Sequence, residues 1–153
     1  MDNLLYNTIY NFFNDNEDYE NITILSNTCA IIKQLFPDIN WVGFYIFKNN
    51  LLQLGPFQGK PACMKIPLDK GVCGYCASTL SSIIVPDVHK FPGHIACDSE
   101  SNSELVVPII IDNCLYGLLD IDSTSLNRFS KFDLELMENI IDLIKIKLKK
   151  RDS

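Results

Sequence analysis

The sequence predicts an α+β fold, in which helices at both ends of the chain pack on an antiparallel sheet, as a single domain over residues 1–153. Three observations predict it. Both ends carry apolar residues at helical spacing, the middle carries short segments rich in β-branched and aromatic residues, and Asn or Asp pairs separate neighbouring strands as in tight hairpins. The length of 153 residues and the hydrophobic content of 47% are enough to build a sizeable core.

The first third of the chain is predicted to form two helices and a β-hairpin. Apolar-rich positions at helical spacing indicate the first helix: Leu4, Leu5, Thr8, Ile9, Phe12 and Phe13. A second helix is predicted over 21–35, and Pro37 marks its end. A strand over 40–47 is followed by Asn49-Asn50, which tolerate positive φ, and then by a strand over 51–57.

The middle of the chain is predicted to hold short elements and one long loop. A strand over 63–67, a helix over 71–80 that begins at a glycine turn, and a strand over 82–85 come first. The segment 87–102 that follows is irregular and contains both histidines and Cys97. Loops of this length inside a compact domain are usually functional or disordered.

The last third is predicted to form a second hairpin and a long helix. Strands over 104–111 and 115–122 flank the turn Asp112-Asn113, and Ser130 with Asp133 resembles a capping box that begins the last helix. The apolar stripe of that helix is expected to pack in the core or in a dimer seam. It comprises Phe132, Leu136, Met137, Ile140, Ile141, Ile144 and Leu148.

Charge and composition exclude several classes of function. The formal net charge of −6 offers no basic surface to nucleic acid or to an acidic membrane. The longest apolar run, 105–111, is too short to cross a bilayer, and no targeting segment is recognised, so a cytosolic location is expected. Six cysteines in a cytosolic protein favour catalysis, redox exchange or metal binding over a disulfide framework.

The cysteines divide into two groups. Three lie in segments bounded by glycine or proline and are the candidates for chemistry: Cys63, Cys73 and Cys97. Cys29 lies in an apolar helical pattern and is expected in the core, whereas Cys114 lies at a hairpin edge. Cys76 completes a C-x-x-C spacing with Cys73, which is a weak signal because one helical turn produces the same spacing.

A zinc site is the first alternative for these residues. Cys73, Cys76, His94 and Cys97 would supply enough nitrogen and sulfur ligands. The spacing is not that of a zinc finger or ribbon, because no second C-x-x-C pair is present, and we therefore predict no metal. Both histidines are expected instead to donate to backbone carbonyls in the long loop.

Acidic and aromatic residues indicate a polar pocket on one face of the sheet. Asp120 and Asp122 alternate with apolar residues, so both project from the same face, and Glu104 begins the neighbouring strand. Such a cluster would suit a ligand with an ammonium group, although solvent exposure would explain it equally. Trp41 and Tyr45 share one strand face and could line a pocket or belong to the core.

Six segments, taken together and in order, carry a resemblance to a known family. They are NWVGFY at 40–45, LGPFQGKPAC ending at Cys63, GVCG from Gly71, DVHKFPGHIACD at 87–98, SNSE at 101–104 and GLLDIDS at 117–123. The chain resembles the free methionine-(R)-sulfoxide reductases, which are enzymes built on a GAF domain. This resemblance implies a six-stranded antiparallel sheet flanked by N- and C-terminal helices, and a homodimer.

The resemblance also implies roles for the candidate residues. Cys97 would attack the sulfoxide sulfur, and Cys63 or Cys73 would resolve the resulting sulfenic acid as a disulfide that thioredoxin reduces. Substrate-binding roles would fall to two aromatic residues around the methyl-sulfinyl group and three acids that bind the amine and help to protonate the oxygen: Trp41, Tyr45, Glu104, Asp120 and Asp122. No cofactor is implied.

A second hypothesis is a non-enzymatic GAF sensor of a ligand or a redox signal, since the fold alone does not decide the function.

Overall fold

A computed structural model describes residues 3–94, 97 and 99–149 of the chain. It has four α-helices and six strands in the order α1 Leu4–Phe13, α2 Asn21–Leu35, β1 Trp41–Lys48, β2 Leu51–Gln58, β3 Lys65–Pro67, α3 Gly71–Thr79, β4 Ile83–Val85, β5 Ser103–Ile111, β6 Cys114–Ser123 and α4 Lys131–Lys145. A short 3₁₀ helix, Val88–Lys90, lies within the long segment predicted as irregular.

The six strands form one antiparallel sheet in the order β3-β2-β1-β6-β5-β4. The two predicted hairpins, β1–β2 and β5–β6, are present, and Asn49, Asn50, Asp112 and Asn113 all adopt the positive φ that such turns require. The predicted α+β fold and six-stranded sheet are therefore confirmed.

The two faces of the sheet are covered differently, because strand residues alternate between them. Helices α1, α2 and α4 cover one face, where residues such as Val42, Leu105 and Ile121 form the larger core. The opposite face carries Trp41 and Tyr45 and is covered in part by α3. The polar residues of the candidate site lie on this second face.

The helix boundaries agree with the sequence prediction to within a few residues, but the exposed positions do not. Ser130 and Asp133 form the predicted capping box. Phe132, which was assigned to the apolar stripe of α4, lies in the first turn of that helix and is 70% exposed. In α1, Leu5, Ile9 and Phe13 are buried, whereas other predicted stripe residues, including Leu4 and Phe12, are exposed.

None of the helices in the described part of the chain is both long and apolar enough to cross a membrane.

Candidate active site

Three acidic residues meet on the α3 side of the sheet because of the strand register. Glu104 of β5 pairs with Asp122 of β6, and Asp122 pairs on its other side with Trp41 of β1. Asp120 lies two residues before Asp122 and therefore projects from the same face. The sequence prediction that these acids share one face is consistent with this register, and the alternative of a solvent-exposed strand end is wrong, since all three are less than 10% exposed.

The acids are buried together, which is costly unless protons or a cation reduce their charge. Burial, and then the neighbouring Asp122, raises the pKa of Glu104 well above its usual range. Burial, and then Glu104, raises the pKa of Asp120 in the same way. Carboxylate oxygens of Glu104 and Asp120 lie within 4.8 Å of each other, so ionising both would place two like charges side by side in a buried site. Among the described residues, Asp120 Oδ1 is buried with no hydrogen-bond partner.

Two aromatic residues of β1 wall the site and hold the loop above it. The rings of Trp41 and Tyr45 are stacked, with centroids 6.1 Å apart. Trp41 Nε1 donates to the carbonyl of Lys60 at 3.0 Å, and the Tyr45 hydroxyl donates to the carbonyl of Cys63 at 2.8 Å. These two bonds fix the loop between β2 and β3 over the acids, which positions Cys63.

Cys63 and Cys97 form a disulfide, with their Cα atoms 5.4 Å apart. Cys97 comes from the long segment between β4 and β5, and an ion pair of 2.8 Å between Lys60 and Glu100 also joins the two loops. Ile95, Ala96 and Asp98 of the quoted segment 87–98 lie outside the described residues. The disulfide therefore joins two of the three cysteines that the sequence singled out for chemistry.

Cys73 lies at the third position of α3, next to the acids. Its Sγ is 4.0 Å from Glu104 Oε2, and burial followed by Asp120 raises the pKa of the thiol well above its usual range. The glycines of the GVCG segment place it there. Gly71 has a φ of +68°, and a Cβ on Gly74 would lie 2.9 Å from the carbonyl oxygens of Pro67 and Leu68.

The other cysteines are not bonded to one another. Cys29 is fully buried in the core, as predicted, and Cys114 is exposed at the β5–β6 turn, as predicted. Cys76 is buried one turn after Cys73, and burial raises the pKa of its thiol to about 12.

The described residues line a pocket of about 510 Å³, a figure that includes the open solvent at its mouth. Seven of the eight predicted site residues line it: Trp41, Tyr45, Cys73, Cys97, Glu104, Asp120 and Asp122. The eighth, Cys63, is bonded to Cys97. The structure thus brings together every residue that the sequence singled out.

Sequence reasoning missed other residues that line the cavity, among them Lys70, Gly71, His94 and Ser101. Gly71, His94 and Ser101 lie inside the segments that carry the family resemblance, and that position was the one sign in the sequence that they could belong to the site. Burial and the nearby His89 lower the pKa of His94. His89 Nδ1 lies 3.1 Å from Asp87 Oδ1, so the expectation that this histidine bonds a backbone carbonyl is wrong at that nitrogen.

The residues proposed as zinc ligands in the alternative hypothesis do not form one site. Cys97 is bonded to Cys63. Within the described residues, the one group whose ligand atoms lie close enough to hold a metal is Cys73, Glu104 and Asp120, all within 4.8 Å of one another. That group includes neither histidine.

Comparison with known proteins agrees with the family resemblance of the sequence. The GAF domain family matches residues 20–148. The chain is 51% identical over 128 residues to a protein of Saccharomyces cerevisiae named free methionine-R-sulfoxide reductase, covering 78% of this chain and 71% of the relative. It is 45% identical over 120 residues to a protein of the same name from Escherichia coli, covering 78% and 73%.

A solved structure, described as fRMsr of Staphylococcus aureus in complex with substrate, superimposes with a TM-score of 0.88 at 45% identity, over 94% of this chain and 93% of that one. The chain therefore belongs to the GAF domain family and, within it, to the free methionine-R-sulfoxide reductases.

Proposed function

We propose that this protein reduces free L-methionine-(R)-sulfoxide to L-methionine, with Cys97 as the nucleophile and Cys63 as the resolving thiol. The observation that carries the proposal is the disulfide between Cys63 and Cys97 at a cavity lined by three buried acids. A disulfide at a ligand cavity, in a protein with four other cysteines that are not bonded, is typical of a catalytic pair rather than of a structural framework.

The two thiols of this pair supply the two electrons that reduce one sulfoxide. The Cys97 sulfur attacks the sulfoxide sulfur, and the oxygen is protonated and passes to Cys97, so that methionine and a Cys97 sulfenic acid are formed. The Cys63 thiol then attacks the sulfenic sulfur, and water leaves as the disulfide forms. An external dithiol reduces the disulfide and is itself oxidised to a disulfide.

The acids supply the proton and the substrate selectivity in this proposal. Burial raises the pKa of both Glu104 and Asp120, and a neighbouring acid raises each further, Asp122 for Glu104 and Glu104 for Asp120. The two carboxyl groups therefore hold a proton that can be given to the sulfoxide oxygen. An α-ammonium offsets the remaining charge and supplies donors to Asp120 Oδ1 and Asp122. A peptide nitrogen carries no charge, so it would leave the negative charge of the buried cluster without compensation. Trp41 and Tyr45 enclose the methyl-sulfinyl end.

Cys73 has a different role from Cys63 in this proposal. Its thiol lies beside Glu104, and its raised pKa keeps it protonated at neutral pH. A neutral buried thiol is a weak nucleophile toward a sulfenic acid. We therefore assign Cys73 to the lining of the acid cluster and not to resolution.

Thioredoxin as the reductant, a cytosolic location and a homodimer complete the proposal. The cysteines that remain unbonded fit a reducing compartment, where thioredoxin is available. Leu4 and Phe132 on α1 and α4, with Ile146 just beyond α4, are 69%, 70% and 82% exposed and support a homodimer through these helices. Light scattering after gel filtration measures the mass of the assembly, and a monomer mass would contradict the homodimer.

The experiment that tests the activity is a steady-state assay with the two sulfoxide epimers and a thioredoxin system. We expect turnover of the free R epimer and little turnover of the S epimer, of N-acetyl-methionine sulfoxide or of peptide methionine sulfoxide. Cys97→Ser should abolish turnover, and Cys114→Ser is the matched control that should retain it.

If the protein shows no turnover but peroxide readily forms the Cys63–Cys97 disulfide, the proposed reductase activity is contradicted. That result would favour the hypothesis of a non-enzymatic redox sensor. Efficient reduction of peptide methionine sulfoxide would contradict the selectivity.

A further inference from the structure

The acid cluster contains a thiol that the reduction of a sulfoxide does not use. Cys73 Sγ lies 4.0 Å from Glu104 Oε2, and ligand atoms of Cys73, Glu104 and Asp120 all lie within 4.8 Å of one another. In the proposed function, carboxylates balance the substrate ammonium, and the disulfide forms without Cys73. The presence of a sulfur among the buried carboxyl groups is therefore left to be explained.

Three packed elements hold these groups together. Glu104 of β5 and Asp120 of β6 are diagonal neighbours, because Glu104 pairs with Asp122, two residues after Asp120. Cys73 faces them from α3, and the close approach of Gly74 to the backbone carbonyls before the helix fixes α3 at this place. The thiol and both carboxyl groups belong to residues less than 10% exposed. The convergence is thus a property of the folded core and not of a surface patch.

One thiolate and two carboxylates form a donor set that suits zinc. Zn²⁺ binds sulfur at about 2.3 Å and carboxylate oxygen at about 2.0–2.2 Å in a tetrahedral arrangement, which separates neighbouring ligand atoms by about 3.5 Å. The 4.0 Å between Cys73 Sγ and Glu104 Oε2 is close to that separation. Mg²⁺ and Ca²⁺ prefer oxygen ligands alone, so the sulfur favours a softer metal.

An unpartnered oxygen shows that the cluster can accept a ligand. Asp120 Oδ1 is buried and has no hydrogen-bond partner among the described residues. Asp120, Cys73 and Glu104 all line the pocket, whose mouth is open to solvent, so an ion can reach them. A buried oxygen without a partner is costly, and a bound cation removes the cost. A divalent cation also offsets the repulsion between two ionised carboxylates.

We propose that Cys73, Glu104 and Asp120 form a binding site for Zn²⁺, with water completing the coordination. The metal displaces the thiol proton to solvent and is held by one sulfur and two oxygens. A bound zinc ion withdraws two carboxylates from the ammonium and from proton transfer, so zinc inhibits the reductase. That consequence rests on the proposed function, whereas metal binding itself does not.

The direct test titrates Zn²⁺ into tag-free, full-length protein in which the Cys63–Cys97 disulfide is intact and the exposed Cys114 is replaced by serine. In this parent protein, Cys73 is the one free thiol at the described pocket wall. Calorimetry measures the stoichiometry and affinity of zinc. Co²⁺ serves as the spectroscopic substitute, since a thiolate ligand gives cobalt a charge-transfer absorption in the near ultraviolet.

Two variants of the parent protein remove one ligand each, and a third is the control. Cys73→Ser removes the sulfur. Glu104→Gln removes a carboxylate and keeps the shape of the side chain, so it tests the site even if Cys73→Ser folds poorly. Cys76→Ala, one helical turn further along α3 and outside the metal-binding group, is the matched control.

We expect the parent protein to bind one Zn²⁺ per chain, to give the thiolate-to-cobalt band, and not to bind Mg²⁺ at the same concentration. Because outer partners of a metal site are worth about 10–100-fold in affinity, Cys73→Ser should weaken zinc binding about 100-fold or more and abolish the band. Glu104→Gln should weaken zinc binding about 10-fold or more. Cys76→Ala should change neither zinc affinity nor the band.

Several results of the titration would overturn the site. They are no zinc binding by the parent protein, a cobalt spectrum without the thiolate band, and equal zinc affinities in the parent protein and Cys73→Ser. Unchanged zinc affinity in Glu104→Gln would overturn it independently of any folding defect in Cys73→Ser. Binding of Mg²⁺ as tightly as Zn²⁺ would show an unselective acidic patch.

A single-turnover assay separates the metal site from the proposed function. Fully reduced wild type and Cys73→Ser are mixed with the R sulfoxide without added thiol, and each is compared with its own zinc-free control. Zn²⁺ should suppress methionine formation by wild type, a chelator should restore it, and Cys73→Ser should be suppressed much less. Equal suppression would assign the inhibition to Cys63 and Cys97 and overturn the inhibitory role. If zinc-free wild type forms no methionine, the proposed function is wrong, and the titration alone decides the metal site.

Discussion

Replacing Glu104 by glutamine is expected to stabilise the unliganded protein while it damages the binding site. Glu104 is 7% exposed, and burial, followed by Asp122, raises the pKa of its carboxyl well above the reference value of 4.5. A carboxyl with a raised pKa binds its proton more tightly in the folded than in the unfolded state. The free energy of unfolding therefore falls as the pH rises above about 4.5, where the unfolded chain has lost this proton.

The size of the effect follows from the surroundings of the side chain. An uncompensated buried polar group costs about 1–3 kcal/mol, and more when it is charged. Because glutamine has nearly the same shape and no titration, we expect Glu104→Gln to raise the free energy of unfolding by about 1–3 kcal/mol at about pH 8. The gain should shrink toward about pH 5, where the wild-type cluster carries fewer charges.

The ligand should reverse the ranking. L-methionine at 100 times its dissociation constant stabilises wild type by about 2.7 kcal/mol. The same concentration should stabilise Glu104→Gln far less, because one of the acids that balance the ammonium is gone.

Urea denaturation of the reduced proteins at several pH values, with and without L-methionine, measures all of these differences. Glu135→Gln, an exposed carboxylate on α4, is the control and should show no pH-dependent difference. A Glu104→Gln protein that is less stable than wild type at about pH 8, or equally stabilised by L-methionine, would refute the reasoning.

Three further predictions concern the loop cysteine, the α3 turn and the strand β6 acid. Cys63→Ser should reduce about one equivalent of sulfoxide in a single turnover but lose most steady-state turnover with thioredoxin, and normal recycling would show that another thiol resolves. Gly74→Ala should lower stability by about 1–3 kcal/mol in a denaturation experiment, because its Cβ would press on the carbonyls of Pro67 and Leu68; an unchanged midpoint would contradict this. Asp122→Asn should lower kcat/KM for the free sulfoxide by roughly 30-fold or more and change it much less for the N-acetyl substrate, whereas equal losses would separate Asp122 from the ammonium.

Periodicity was sufficient to predict most of the sheet and the placement of the acids. Asp120 and Asp122 alternate with apolar residues, and residues two positions apart on a strand project from the same face. The hairpin turns were predictable because Asn and Asp tolerate positive φ, which all four turn residues adopt. The core position of Cys29 followed from its apolar helical neighbours.

The partner of Cys97 could not be predicted from the residues alone, because it depends on where two loops lie. Cys63 and Cys73 are only ten positions apart and both flank the cavity. The Trp41 and Tyr45 hydrogen bonds to backbone carbonyls hold the Cys63 loop over the site, whereas α3 holds Cys73 beneath it, beside Glu104. Every residue has a backbone carbonyl, so the sequence does not show which carbonyls accept these hydrogen bonds.

The contribution of Lys70 to the cavity was missed for a similar reason. A single lysine before a short helix is usually a solvated surface residue, and its sequence neighbours carry no charge pattern. It lines the cavity because Cys73, three residues later on the same helix, packs beside Glu104 on the sheet. Tertiary placement, rather than residue type, distinguishes it from the other lysines of the chain.

The central claim is that Cys97 and Cys63 carry the two electrons that reduce the sulfoxide. Fully reduced protein mixed with excess L-methionine-(R)-sulfoxide, without any reductant, should yield about one methionine per chain. Peptide mapping by mass spectrometry should then find a new disulfide between Cys63 and Cys97, and the S epimer should produce neither. Methionine formed without this disulfide, or a disulfide at Cys73 in its place, would contradict the account.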